Sequence, residues 1–215
     1  MKKIAPILAG LCLSLCLFSA AILAASSFTP LYRLFVPKLE LENPIPEESI
    51  LTNYDRMVDY NLSFGSRRLD LDHLAMSEHG AIHFEEVRRI FQTILLFFFI
   101  SAAMSLLLSG LVKKKALMLN TASLLCILLP ALLTLPLLFG FERAFTGFHE
   151  LFFQNDYWIF DPATDPIILY LPASFFLAEA LLILGILIFF ALIFFFLARK
   201  AEKKEKRLPS SLRDL

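Results

Sequence analysis

The residues best suited to proton transfer in this chain are its four histidines. An imidazole with a pKa near ~6.5 can both accept and donate a proton at physiological pH. His83 is followed three residues later by Glu86, which one helical turn places on the same face. A carboxylate in that position can orient the imidazole and raise its basicity. His83 and Glu86 therefore predict a general acid–base site, although a histidine beside surface acids is also commonly just solvated.

His149 lies in the stretch Phe141–Asp165, FERAFTGFHELFFQNDYWIFDPATD, which contains the only tryptophan and many phenylalanines. Phenylalanines recur there at helical spacing, which predicts a helix half-sunk in a membrane interface. Two interpretations of His149 stay open. It belongs to an acid–base site, or it anchors the interface together with Tyr157 and Trp158 in an aromatic belt.

A metal site is the alternative use of these residues. His79 and His83 are four residues apart, a spacing that can chelate a metal ion from one helix face. Gly80 between them and the lack of the glutamate of an HExxH motif weaken that interpretation, so we expect no metal. A metal-dependent hydrolase built on His79, His83 and His149 remains as an alternative.

The sequence lacks the motifs of several function classes. It has no Gly-rich phosphate loop, no GxSxG nucleophile elbow and no basic aromatic surface for nucleic acid. We therefore expect no nucleic-acid partner. Cys12, Cys16 and Cys126 fall within apolar runs, which predicts buried thiols rather than a disulfide framework.

Composition indicates a membrane protein. The chain has 215 residues, 58% of them hydrophobic, 23 phenylalanines, a mean hydropathy of +0.69 and a formal net charge of 0. A soluble core of this size cannot bury so much apolar surface. Four apolar runs can each cross a ~30 Å hydrocarbon layer, namely residues 4–25, 90–112, 116–138 and 167–197. The first run, at about 22 residues, exceeds the ~7–15 of a cleaved signal peptide, so we expect it to be retained.

Charge predicts the orientation of these spans. Lysine and arginine clusters precede the first span, separate the second from the third and follow the fourth. The positive-inside bias then places both termini, the turn 113–115 and the tail 198–215 in the cytoplasm. Segments 26–89 and 139–166 form an extracytoplasmic cap, which contains all the histidines.

The cap has its own local patterns. Pro46 and two following acids begin a helix whose apolar residues recur at helical spacing as far as Leu62. This amphipathic helix is expected on the membrane surface or against the other outer segment. Residues 38–42 and 67–72 alternate polar and apolar side chains and can pair as a short β ribbon. The predicted fold class is an all-α polytopic membrane protein with four transmembrane helices and this extracytoplasmic cap.

Glu179 is the only charged residue inside a predicted span. A carboxylate is costly in hydrocarbon, so an intramembrane glutamate is a functional candidate. The alternative is a neutral glutamate that is hydrogen-bonded within the helix bundle.

Two stretches resemble a known family. FTGFHELFFQNDYWIFDPATDPIILYLPASFF, from Phe145 to Phe176, is similar to the signature of the lipoprotein intramolecular transacylases, the Lit family of small four-span bacterial membrane proteins. EHGAIHFEEVRRIF, from Glu78 to Phe91, resembles a second and shorter motif of that family. Glu86 and Arg88 stand where the family pattern leads us to expect Asp and Lys, which keeps the charges but changes their reach.

The resemblance implies an acyl transfer within one substrate molecule. The implied substrate is a diacylated lipoprotein in the bacterial cytoplasmic membrane, whose sn-2 acyl chain moves from the glycerol to the α-amino group of the N-terminal cysteine. The product is the lyso-form, and no cofactor is used. Matching the motifs implies that His83 and His149 are catalytic, on the extracytoplasmic face.

This chemistry fits the residue types. The α-amine, with a pKa of about 7.7–8.0, must lose a proton to attack, and the departing glyceryl oxygen must gain one. We expect the tetrahedral oxyanion to be stabilised by Arg143, Asn155 or backbone N–H groups. The full set of expected supporting residues is Glu86, Arg88, Arg143, Asn155, Trp158, Asp161 and Glu179. A non-enzymatic sensor or assembly subunit with a polar outer cap is the alternative.

Overall fold

The computed structural model describes residues 4–41, 44–65 and 67–207. Its helices in chain order are α1 (Ile4–Ser26), α2 (Thr29–Arg33), α3 (Glu47–Leu62), α4 (Glu78–Leu111), α5 (Lys115–Thr134), α6 (Phe141–Phe152) and α7 (Ala173–Arg207). Short 3₁₀ turns cover Val36–Lys38, Leu135–Phe139 and Pro166–Tyr170. The chain folds into two compact units.

Four helices among the described residues are long and apolar enough to cross a membrane: α1, α4, α5 with its 3₁₀ extension to Phe139, and α7. α4 has 34 residues, or about 51 Å of helix, which exceeds a ~30 Å hydrocarbon layer. All its charged residues and both its histidines lie in Glu78–Arg89, so the part of the helix from Ile90 onward is uncharged.

The first unit comprises the described residues of Met1–Ile22, Leu96–Thr134 and Ile183–Leu215. Small side chains let its helices approach closely: Ala21, Cys126 and Ala191 are buried together with Leu187. The Ser123 hydroxyl donates a hydrogen bond to the Ala191 carbonyl oxygen at 2.8 Å, which ties α5 to α7.

The second unit comprises Leu23–Leu95 and Leu135–Leu182, and an aromatic cluster forms its core. The rings of Tyr32 and Tyr54 stack at 4.2 Å, and Phe175 packs edge-on against both. The Tyr32 hydroxyl donates to the Tyr170 carbonyl oxygen at 2.8 Å. Because Tyr54 belongs to α3 and Phe175 to α7, the amphipathic helix packs on protein rather than only on lipid.

No strand occurs in the described part of the chain, so the predicted β ribbon does not form there. Residues 36–38 are a 3₁₀ turn, residue 42 lies outside the described ranges, and residues 67–71 are irregular. The reason is that α3 side chains satisfy the backbone of the second segment. Asn53 accepts from the Asp72 N–H at 2.6 Å and donates to the Asp72 carbonyl oxygen at 2.9 Å.

Candidate active site

The site begins where α4 begins. Ser77 precedes the helix, and its hydroxyl accepts the Gly80 N–H at 3.0 Å, as an N-capping side chain does. The Ser77 N–H in turn donates to Asp165 Oδ1 at 2.7 Å, and Thr164 donates to Oδ2 at 2.8 Å. Asp165 is only 3% exposed and therefore attaches the 153–165 loop to the first turn of α4.

Gly80 permits that attachment. A Cβ atom added at Gly80 would collide with Asp165 Oδ1, so only glycine lets the carboxylate come this close. Burial by itself raises the pKa of Asp165, but the hydrogen bonds from Ser77 and Thr164 and the nearby His79 outweigh it and leave the pKa below its usual value. Asp165 is thus held in its ionised form.

His83 lies on the second turn of α4 and is 6% exposed. Its ring packs edge-on against Phe153 at 4.7 Å and Phe160 at 5.4 Å between centroids. Its Nδ1 atom is buried and has no hydrogen-bond partner among the described residues. His83 is therefore a polar group in an aromatic pocket.

His149 lies on α6 and faces His83, with 5.9 Å between the ring centroids. Its Nδ1 is 2.7 Å from the Phe145 carbonyl oxygen. A carbonyl oxygen only accepts, so Nδ1 carries the proton and Nε2 carries the lone pair. Trp158, at 4.7 Å, packs against the same ring.

The environment keeps both imidazoles neutral. Burial, with a smaller contribution from His149, lowers the pKa of His83 to about 4. Burial also lowers the pKa of His149, partly opposed by the hydrogen bond to Phe145. Because a second positive charge at this distance would be repelled, the pair is suited to carry one extra proton at a time.

Glu86 and Asn155 form the polar part of the site. Asn155 Nδ2 donates to Glu86 Oε1 at 2.8 Å, and Asn155 Oδ1 accepts the Tyr157 N–H at 3.0 Å. Glu86 Oε2 is buried without a hydrogen-bond partner among the described residues. The expected hydrogen bond from His83 to Glu86 is not formed there, because Glu86 reaches the 153–165 loop instead.

Arg88 has a structural position. Its buried guanidinium donates to the carbonyl oxygens of Ser63, Gly65 and Arg67 and lies 4.9 Å from the centroid of the Tyr60 ring. It thereby attaches the backbone at Ser63, Gly65 and Arg67 to α4. On the described contacts, the role of Arg88 is structural.

The remaining expected residues are spread out. Arg143 and Asp161 are exposed, and neither makes a side-chain hydrogen bond to a histidine within the described ranges. Asp161 Oδ1 accepts the Ala163 N–H at 2.9 Å and shapes a turn. Glu179 lies beside Tyr54, whose pKa is raised by burial first and then by that carboxylate.

The metal alternative does not match this geometry. His79 stacks on Tyr157 at 4.1 Å between ring centroids. Among the described residues, no group of three or more His, Cys, Asp and Glu side chains is arranged to hold a metal ion. The three histidines of that alternative therefore do not form one ligand set.

Sequence reasoning missed three contributors: Asp165, Phe153 and Phe160. The Asp165 side chain makes no cap hydrogen bond to the 3₁₀ turn that follows it and instead accepts from the Ser77 N–H, far away in the chain. Phe153 and Phe160 lie among many phenylalanines, and no local signal separates those that enclose a histidine from those that face lipid.

Fold and site together define a polytopic helical membrane protein with a neutral histidine pair in its cap. A family model described as "Lipoprotein intramolecular transacylase Lit" matches residues 7–176. The chain belongs to this family, and it is accordingly an acyltransferase. The family resemblance and the enzyme class predicted from the sequence are thereby confirmed, and the sensor or assembly-subunit alternative is wrong.

Solved structures that resemble this chain belong to the same family. The chain is similar to the membrane-integral transacylase Lit from Bacillus cereus, solved in meso, with 31% identity and a TM-score of 0.84 over 97% of this chain and 99% of that one. A variant of that protein with a histidine-to-arginine substitution gives 31% identity and a TM-score of 0.84 over 96% and 94%. A histidine-to-alanine variant gives 31% and 0.83 over 97% and 96%. These matches confirm the all-α membrane fold. A comparison with curated proteins gives no match.

Proposed function

We propose that this transacylase moves the sn-2 acyl chain of a diacylglyceryl-cysteine lipoprotein to the cysteine's own α-amino group, and that His83 and His149 carry the protons. The observation that supports this most directly is the pair of neutral imidazoles, 5.9 Å apart, in an aromatic pocket. The surrounding aromatic rings suit contact with an acyl chain, and the imidazoles can relay a proton from the amine to the glyceryl oxygen.

The reaction is an isomerisation. The α-amine nitrogen forms a bond to the ester carbonyl carbon, and the bond from that carbon to the glyceryl oxygen breaks. The nitrogen, bound as an ammonium, keeps one proton in the amide and gives up two, of which one passes to the glyceryl oxygen and the other is released to solvent. No water, metal or cofactor enters the balance. Nucleophile and ester belong to one molecule, so holding the near-attack geometry is the main contribution of the protein.

His149 is the better proton acceptor of the two. Its Nδ1–H is fixed on the Phe145 carbonyl oxygen, so its Nε2 lone pair is free for the substrate. When Nε2 takes a proton, that same hydrogen bond to the carbonyl oxygen strengthens. Burial disfavours the resulting cation, which favours rapid delivery of the proton to the leaving glyceryl oxygen, directly or through His83.

Glu86 is proposed to bind the α-ammonium group before it is deprotonated. Its Oε1 is held by Asn155, and its Oε2 is buried without a partner among the described residues. A buried carboxylate oxygen without a partner is costly, so a cation there gains a charge-assisted hydrogen bond. Asn155 has a second amide N–H, which is our candidate donor for the oxyanion.

The proposed placement puts the cap outside the cell membrane and both termini in the cytoplasm. It rests on the positive-inside distribution of lysine and arginine. With this orientation, the histidines face the side on which a lipoprotein carries its lipidated N-terminus. Exposed side chains of α4 such as Phe97, Phe99 and Leu106 suit contact with acyl chains.

Tandem mass spectrometry of a lipoprotein N-terminal peptide tests the proposal. Host cells that lack other N-acylating activity would express the natural chain, His83→Ala, His149→Ala or the control His73→Asn. His73 is exposed and has a φ of 59°, a conformation that asparagine tolerates. N-acyl, S-monoacylglyceryl cysteine should form with the natural chain and with His73→Asn alone. Unchanged product from a well-expressed His149→Ala variant would refute the proposed role of that histidine.

A further inference from the structure

We propose that a groove between the start of α5 and the end of α7 binds the headgroup of an anionic phospholipid. The α5–α7 groove has a volume of ≈ 510 Å³, enough for a phosphoglycerol headgroup. Its main lining residues are Lys115, Leu119, Leu197, Lys200, Lys204 and Arg207. None of them belongs to the histidine site, so the inference does not depend on the proposed reaction.

The groove concentrates positive charge. Lys115 comes from the first turn of α5, and Lys200, Lys204 and Arg207 come from the last turns of α7, with Lys203 completing the set. These five side chains are exposed. A phosphodiester that lies between the helices therefore meets cations from both of them.

Two acids, Glu202 and Glu205, lie next to the groove residues in α7, and the five basic side chains outnumber them. Glu205 accepts the Ala116 N–H at 3.0 Å, and Glu202 accepts from Asn120 at 3.0 Å. These contacts occupy the two carboxylates of the last α7 turns with the first turns of α5. Glu202 also forms an ion pair with Arg199 at 3.5 Å. Arg199 does not line the groove, so this ion pair does not involve a groove lysine.

The apolar part of the groove lining, here called the floor, consists of Leu119, Leu197 and Ala201. Leu197 is 45% exposed and precedes Lys200 by about one helical turn, on the side of the apolar part of α7. A free phosphate ion would use the lysines and leave this floor unused. A phospholipid uses both, because its acyl chain continues along Leu197 while its phosphate meets Lys200 and Lys204. The structure therefore favours a lipid over a soluble anion.

Native mass spectrometry of the purified full-length protein tests this site. The protein in detergent would be titrated separately with dioleoylphosphatidylglycerol and dioleoylphosphatidylcholine. We expect the anionic lipid to bind at least tenfold more tightly. The variant K200Q/K204Q should lose roughly tenfold to thirtyfold in affinity for it, the effect of removing two favourably placed cations.

The matched control is K114Q/K206Q. It also removes two positive charges, one just before α5 and one from the last turn of α7, but neither residue lines the groove. Its affinity for phosphatidylglycerol should stay within about twofold of the natural chain. An equal loss in both variants would refute the groove and leave only a diffuse basic surface.

Two measurements on the natural chain need no variant. Phosphatidylglycerol, but not phosphatidylcholine, should raise the unfolding temperature, because it bridges α5 and α7 only in the folded state. Millimolar inorganic phosphate should not displace the lipid. Equal stabilisation by both lipids, or displacement by inorganic phosphate, would overturn the proposal.

Discussion

His149 Nδ1 lies 2.7 Å from the carbonyl oxygen of Phe145, one helical turn earlier in α6. The His149 side chain therefore forms a hydrogen bond to the backbone of its own helix. Because the carbonyl oxygen only accepts, this hydrogen bond fixes the tautomer of the imidazole. The ring lies 5.9 Å from that of His83 between centroids, and its Nε2 carries the lone pair. His149 therefore has a preset tautomer, which we propose suits it to accept a proton from the substrate.

The first prediction concerns this preset ring. Replacing His149 by Gln keeps a polar side chain but removes the group that takes up a proton, so kcat should fall by about 10²- to 10⁴-fold. The assay is conversion of a purified diacylated lipopeptide, with the unfolding temperature as the fold control. ¹⁵N shifts of the natural ring should show a protonated Nδ1, and a protonated Nε2 at neutral pH would contradict the assignment.

The second prediction is a pH profile. Both histidines have a lowered pKa, so they stay neutral as pH falls through 6.5 and become protonated only below it. The acid limb of kcat/KM should therefore lie below pH ~6.5. Since we propose that the substrate binds as the ammonium, the alkaline limb should follow its amine at about pH 7.7–8.0. An acid limb at or above pH ~6.5 would argue for exposed histidines.

The third prediction tests ammonium binding at Glu86. Glu86→Gln keeps a hydrogen bond to Asn155 but loses the charge, and kcat/KM should fall about 10- to 100-fold, mainly through KM. Glu86→Asp keeps the charge and should retain more activity. The exposed neighbour Glu85, which pairs with Arg89 at 2.6 Å, provides Glu85→Gln as the control. Equal activity of both glutamine variants would exclude this role.

The fourth prediction concerns the attachment of the loop to α4. Asp165→Ala leaves the Ser77 N–H without its partner and should lower the free energy of unfolding by about 1–3 kcal/mol. Because the pKa of Asp165 is lowered, its stabilising contribution is present above the usual carboxyl pKa and is lost as pH falls through the lowered value. Denaturation of Asp165→Ala and of the exposed control Asp156→Ala would be compared at neutral and acidic pH.

The fifth prediction uses Gly80→Ala to disturb the same contact between α4 and the loop. The added methyl group meets the Asp165 carboxylate, so it should displace the loop and reduce activity even though alanine favours helix. The double variant Gly80→Ala, Asp165→Ala should be less damaging than the sum of the single changes. Full additivity would show that the two residues act independently.

The sequence predicts the membrane helices because hydrocarbon imposes a length and an apolarity that few other environments require. It predicts His83 and His149 through the family motifs, yet spacing alone leaves His149 open to an interfacial role. It does not predict Asp165, whose partner Ser77 is 88 residues away in the chain. Nor does it predict the partners of Arg88, because they are backbone carbonyl oxygens, which have no signature in the side-chain pattern.

The β ribbon fails for a related reason. The alternating pattern of residues 67–72 is real, but such a pattern shows only which side chains face inward. It does not show what pairs with the backbone. Here the amide of Asn53 takes that place, and the Arg56 side chain donates to the Asp70 carbonyl oxygen at 3.2 Å.

The side-chain amide of Asn53 in α3 thus pairs with the backbone N–H and C=O of Asp72, as a neighbouring strand would in a sheet. Since the Asp72 N–H is bound only through Asn53, it becomes accessible to solvent when α3 moves away. Its hydrogen exchange should therefore follow the opening of α3 rather than local fraying. The Asp72 N–H and the amides of α3, although 19 residues apart at this contact, should therefore lose their protection together.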